Sequence, residues 1–291
     1  MQGAATDRSQ PIGISRDALL AALSDDPSYG YVRLVRILRT LLPPRTDSRQ
    51  AGPGGRELRE LLLEFANPSA ALASVPIAVP KHLVAYFLAG VERIRASAML
   101  APETFFSIDN DFLIKDLTVC LGQMFPAGAR LIDLRSGLPR KLLFWQGASL
   151  PSALGFLRKA GGFRPWFETH VDLRDLSQFN EVGLRWMYLR VAALLEVNPQ
   201  VRGVFGGSWF YDPVLAKISP HLAYLQQMPR QHGARLLRAE TTAGTTRGAL
   251  AKSRRRREAY ERGLYRPQCY FLAWPRNPLL QWARSQQAAT S

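Results

Sequence analysis

Cysteine is almost missing from this sequence: Cys120 and Cys269 are the two present among 291 residues. Neither sits in a CxxC pair, which argues against a thiolate zinc motif or a disulfide framework, so both are expected to be reduced, buried thiols. Long apolar runs are missing as well. The segments around Leu83–Val91 and Val191–Val197 are interrupted by Gly or Glu, well short of the roughly 18–20 continuous apolar residues of a membrane span. The opening stretch Met1–Gly13 has no apolar core, so no secretory leader is expected and the cytoplasm is the expected compartment. Acidic residues are also in short supply, 23 Asp and Glu against 38 Lys and Arg, for a net charge of +15. The imbalance is local. Between Arg230 and Ser291 thirteen basic residues face three Glu, a balance of +10, and the rest of the chain carries +5. A basic C-terminal fifth points to an anionic ligand or partner. No zinc-finger, RNA-recognition or helix-turn-helix signature accompanies it, so sequence-specific reading of nucleic acid is unsupported.

What is there is the composition of a globular chain, 47% hydrophobic and 21% charged, long enough to bury a sizeable core as one compact unit. The first hundred residues read as a helical region and residues 101–291 as a mixed α/β domain. Ser15 is placed to cap a helix to Leu23. Val32, Val35, Leu38 and Leu42 repeat at helical spacing up to Pro43-Pro44. Arg45–Gly55, polar and rich in Gly and Pro, reads as an exposed linker. Further helices are expected near Arg56–Ala66 and from Pro80 to Ala98. After Pro102, strands are expected at Ala129–Leu134, Lys141–Trp145, Pro165–Leu173, Val201–Phe205, Ala234–Ala239 and Gln268–Ala273. Helices are expected at Leu150–Ala160, stopped by Gly161-Gly162, and at Gln178–Val197, Pro213–Met228, Lys252–Arg262 and Pro278–Arg284. This alternation predicts an α+β fold, with α/β as the alternative: a mixed central sheet covered by helices.

Three segments carry chemistry. In Phe167–Arg174 a period of two puts Glu168, His170, Asp172 and Arg174 on one strand face. A histidine between two carboxylates suits a general base whose tautomer one of them fixes; the bland alternative is a solvated face at a sheet edge. In Arg202–Pro213, Gly206-Gly207 permit a sharp turn or close approach to a ligand. Ser208, Trp209 and Tyr211 add polar and aromatic contacts, and Asp212-Pro213 opens the next helix. A strand–glycine–helix unit of this kind can cradle phosphate, though no Lys follows the glycines. In Ser253–Pro267, Arg254, Arg255, Arg256 and Arg257 spread around a helix, as in a solvated face or a polyanion contact. His170-x-Asp172 with His221 and Arg230 also resembles the metal triad and arginine of iron(II)/2-oxoglutarate oxygenases, which would make this chain an oxygenase of that type.

GSWFYDPVLAKISPHLAYL, the Arg-rich helix and LYRPQCYFLAWPR, with FLIKDLTVCLGQMFPAGARLID and GGFRPWFETH, resemble a family of uncharacterised bacterial proteins over roughly residues 103–284. The order strand, glycine segment, helix, strand, then a Tyr–Gly-aromatic helix end is similar to GNAT-type N-acyltransferases. Three residues rather than two separate Arg202 from Gly206, and Tyr260 precedes Gly263 by three rather than four. The resemblance implies a GNAT-like sheet and an acyl-CoA cofactor held by Arg202, Gly206, Gly207 and Ser208. It implies an acyl group transferred to the amine of a small-molecule substrate, with Glu168 or His170 as base, Tyr260 as acid, and Asp172, Arg174, Trp209 and Tyr211 around the substrate. No resident metal is expected in that case. The alternative from another class is a binding or scaffold protein that applies its basic C-terminal region to an acidic partner or nucleic acid.

Overall fold

The computed structural model describes residues 16–25, 31–41, 54–172 and 174–288. Ser15, Pro43-Pro44, Leu173 and the expected linker, apart from Gly54 and Gly55, lie outside the described residues. Helices α1 (Arg16–Asp25), α2 (Tyr31–Leu41), α3 (Gly54–Phe65), α4 (Pro68–Ala73), α5 (Lys81–Leu100) and α6 (Asp111–Cys120) come first. Strands β1 (Met124–Pro126) and β2 (Arg130–Ser136) follow, then α7 (Leu150–Lys159), β3 (Trp166–Val171), α8 (Glu181–Val197) and β4 (Gly203–Ser208). The chain continues through α9 (Leu215–Ile218), α10 (Tyr224–Gln231), β5 (Arg235–Arg238), α11 (Ala243–Ala251), α12 (Arg254–Glu261), β6 (Tyr270–Pro275) and α13 (Arg276–Ala288).

The fold is α+β, a six-stranded mixed sheet in the order β1-β2-β3-β4-β6-β5. Every neighbouring pair is antiparallel except β3 and β4, which run parallel and are joined through α8. A parallel pair needs a long crossover, and α8 supplies it: Asn180 accepts from the Gly183 amide to start it, and apolar positions carry it to Val197. The β3–β4 pairing is short. It joins Phe167 to Val204 and Glu168 to Phe205, whereas β2–β3 runs on to Val171 and β4–β6 to Ser208. Beyond Glu168 and Phe205 the two central strands leave their ladder.

Alternation along the strands fills two cores. Phe167, Val204 and Trp274 face Tyr188 and Val191 of α8, Trp282 of α13 and the N-terminal helices, in one cluster that reaches back to Leu19. Trp166, Phe205, Leu237 and Ala273 face the other way, onto Ala153, Phe156 and Leu157 of α7. The ring of Tyr188 meets Trp274 edge-on at 4.9 Å, a geometry worth about 0.5–1.5 kcal/mol beyond the area it buries.

Several expectations need correction. Lys141–Trp145 is not a strand: Pro139 leads into a 3-10 turn over Arg140–Trp145, where Leu142 alone is buried and Phe144 is 87% exposed. The expected helix Pro213–Met228 is broken into α9, a 3-10 turn at Pro220–Leu222 and α10, because Pro220 has no amide to continue it. Gly206 and Gly207 form no turn. They continue β4 opposite Leu272 and Phe271, since a side chain on Gly206 would collide with Thr169 and one on Gly207 with the Phe271 ring. Gly161 and Gly162, by contrast, do have positive φ, and they stop α7 as expected.

Candidate functional site

Where β3 and β4 leave their ladder, a cavity of about 810 Å³ is lined from both strands, by Glu168, Thr169, His170 and Val171 on one side and Gly207 and Ser208 on the other. Asp111, Phe112 and Lys115 of α6 and Arg130 of β2 also line it, as do Leu176, Phe179, Trp209, Phe210, His221 and Leu222. Gly248 and Ala251 of α11, Lys252, Ser253 and Arg256 complete the wall. Two segments singled out in the sequence, around Glu168–His170 and Gly207–Trp209, thus meet in one site. The site carries four cations, Lys115, Arg130, Lys252 and Arg256, against two carboxylates, Asp111 and Glu168.

Asp133 of β2 stands directly across the ladder from Glu168. With His170 the two form a cluster whose side-chain oxygens and nitrogen lie within 4.8 Å of one another. Asp133 accepts the backbone amides of Arg135 at 2.9 Å and Tyr31 at 2.9 Å. Glu168 Oε2 accepts the Ser136 hydroxyl at 2.6 Å and lies 3.9 Å from His170 Nε2. Burial pushes Asp133 up to about 6 against those amide bonds. It pushes Glu168 up to about 7, the Ser136 bond opposing and the Asp133 charge adding. Burial, helped by the Lys115 charge, brings His170 down to about 4. At neutral pH the imidazole is therefore uncharged and Glu168 is divided between acid and base. Parts of both side chains are exposed, 27% of Glu168 and 22% of His170, but the Nε2 atom of His170 is itself buried with no hydrogen-bond partner among the described residues. Two carboxylates and an imidazole are also a donor set for a divalent cation.

No protein-family model, curated protein or solved structure matches this chain. The site is therefore read from its own groups. Asp172 and Arg174 are not on the cavity wall. They pair with each other at 2.9 Å, and Arg174 also reaches Asp116 at 2.7 Å. The expected four-residue face thus splits where β3 ends. Asp172, clamped by that guanidinium, is occupied where the oxygenase reading needs a metal ligand. His221 does line the cavity, but Arg230 opens on a separate hollow between α10 and β5. Arg202 lies away from the cavity, its Nε donating to the Arg164 carbonyl. Gly206 packs on Thr169. Tyr211 is buried and accepts from Arg130 at 2.6 Å. Tyr260 sits on α12 beneath the Arg266 guanidinium, 4.5 Å from its ring, and is not on the wall.

The basic helix divides the same way. Arg254 is exposed and pairs with Glu258, and Arg257 caps the carbonyls of Leu250 and Ala251. Arg256 is buried: its Nε donates to Ala249, its Nη1 to Ser219 at 3.1 Å, and its guanidinium lies 4.7 Å over the Trp209 ring. It fixes the wall rather than offering itself to a partner. Sequence reasoning missed Arg130, Asp133, Ser136 and Lys115. A usable signal existed for two of them, because Arg130 and Asp133 are charges inside an apolar stretch already read as a strand.

Proposed function

We propose that the protein is an acyl-CoA-dependent N-acyltransferase acting on a small-molecule amine, with the cavity between β3 and β4 as its active site. The observation that carries this reading is the single parallel pair, joined by one helix, whose strands leave their ladder and line an 810 Å³ cavity from both sides. That is the place a GNAT-like sheet offers a thioester arm. Lys252, a wall cation with no ion pair among the described residues, supports a cofactor rich in phosphate. In this reading Glu168 accepts the proton of the attacking amine as nitrogen bonds to the thioester carbonyl. When the C–S bond breaks, the departing thiolate takes up a proton. A carboxyl with a pKa near 7 can receive the first proton and return it to the thiolate, whose ordinary pKa is about 8.5. Ser136 orients that carboxyl, and neutral His170 is its neighbour. Gly207 and Ser208 flank the donor as extended backbone rather than as a phosphate loop.

A panel of acyl-CoA donors and amines, read by thiol release and by the melting temperature with CoA, tests this. Glu168→Gln is expected to lower turnover about 10²- to 10⁴-fold while CoA still raises the melting temperature. No thiol release from any donor, with no protection by CoA, overturns the reading. The scaffold alternative keeps exposed Arg254 and Arg255 for an acidic partner or nucleic acid, and predicts binding that collapses with salt.

A further inference from the structure

Arg130 is 3% exposed, yet no carboxylate among the described residues pairs with it. Its Nη1 donates to the Tyr211 hydroxyl at 2.6 Å and to Thr169 Oγ1 at 3.2 Å. Its Nη2 is buried with no hydrogen-bond partner among the described residues. The guanidinium cannot discharge itself by losing a proton, and a buried, uncompensated charge is among the costliest things a fold can hold. The same side chain lines both the large cavity and a water-sized hollow beside the start of α8. A buried donor without a partner, on a side chain that lines a cavity, is a place for a ligand's anionic end.

We propose that the ligand of this cavity carries a carboxylate that docks on Nη2 of Arg130, with an apolar body lying along Phe112, Leu176, Phe179, Trp209, Phe210 and Leu222. At Arg130 the charge to be met is single. Lys115 is already held by Asp111 and the Val171 carbonyl, and Arg256 by Ala249 and Ser219. A carboxylate brings one negative charge and two acceptor oxygens to the single charge of Arg130, whereas a phosphate dianion would also call on Lys252, the wall cation that pairs with no described residue. Thr169 and Arg130 lie on the α8 face of the sheet and Glu168 on the other. The cavity therefore reaches both sides of β3 at its open edge. Under the acyl-transfer reading such a ligand is an amino carboxylate or its N-acylated product, but the docking does not rest on that reading.

The test is binding to the full chain by calorimetry and melting temperature, using hexanoate, octanoate and decanoate beside their methyl esters, with inorganic phosphate and pyrophosphate as further arms. The acids are expected to bind at least about tenfold more tightly than the esters. Arg130→Met is expected to bind acid and ester alike, and Arg130→Lys to keep part of the preference. Equal binding of acids and esters to the wild-type protein, or no binding of any acid, overturns the proposal even if Arg130→Met does not fold. Protection by phosphate or pyrophosphate but not by the carboxylates overturns it too, and reassigns the site to a phosphate group. An unchanged acid preference in folded Arg130→Met leaves Arg130 only the structural task of holding Tyr211, and ends the proposal.

Discussion

The hydroxyl of Ser136 donates to Oε2 of Glu168 at 2.6 Å, while His170 Nε2 stands 3.9 Å from that same oxygen. The hydroxyl bond favours the ionised carboxylate and so opposes the burial that raises Glu168 to about 7. A base works in its deprotonated form, so turnover is expected to rise with pH through about 7. Removing the bond pushes the carboxyl further up. In Ser136→Ala the rising limb of kcat/KM against pH is expected to move roughly one unit to the alkaline side, the worth of one charge-assisted hydrogen bond. Full activity should return at high pH. A limb that stays in place removes Glu168 from the role of base.

The four consecutive arginines of α12 are expected to behave unequally, against the simple reading of a solvated basic run. Arg256→Ala strips bonds from Ala249 and Ser219 and the cation over Trp209, at a cost of roughly 2–4 kcal/mol. Arg254→Gln touches one exposed pair with Glu258 and is expected to stay within about 0.5 kcal/mol. Urea unfolding of the two variants decides between them; similar values would mean that Arg256 is not an anchor.

Gly206 is expected to tolerate nothing larger. An added Cβ would lie 2.2 Å from Thr169 Oγ1, and Thr169 can swing away only by giving up Arg130. Gly206→Ala should therefore cost about 1–3 kcal/mol. In a Thr169→Ala background the new methyl meets no hydroxyl and most of that cost should vanish, a coupling a double-mutant cycle reads directly. Additive losses would show that the strain lies elsewhere.

The elements legible in the sequence were those whose signals are local. The Gly161-Gly162 stop and the period-two run through Glu168 and His170 each lie within a few residues of the structure they specify. Helix α6 was missed because its charges point inward. Lys115 and Asp116 are buried, so the polar stripe that marks a surface helix is absent. Lys141–Trp145 misled for the opposite reason: its apolar side chains are largely outside, following a proline-led turn. The acid cluster needed register. Asp133 and Glu168 are opposite each other because β2 and β3 pair antiparallel across a gap holding α7, and no spacing in the sequence encodes that match. The free nitrogen of Arg130 is further still from local reading, since it is defined by partners the fold fails to supply.

Helix α2 begins with Tyr31, whose amide donates to Asp133, whose hydroxyl donates to Asp111 at 2.7 Å, and whose ring lies 5.7 Å from His170. The upstream helices, which read in the sequence as a helical N-terminal region, therefore act as electrical insulation for groups a hundred residues away. They keep water off one side of the cluster and so help set at which pH it holds its protons. Exchanging that region for a different one would retune the chemistry of the cavity with every residue on its wall unchanged.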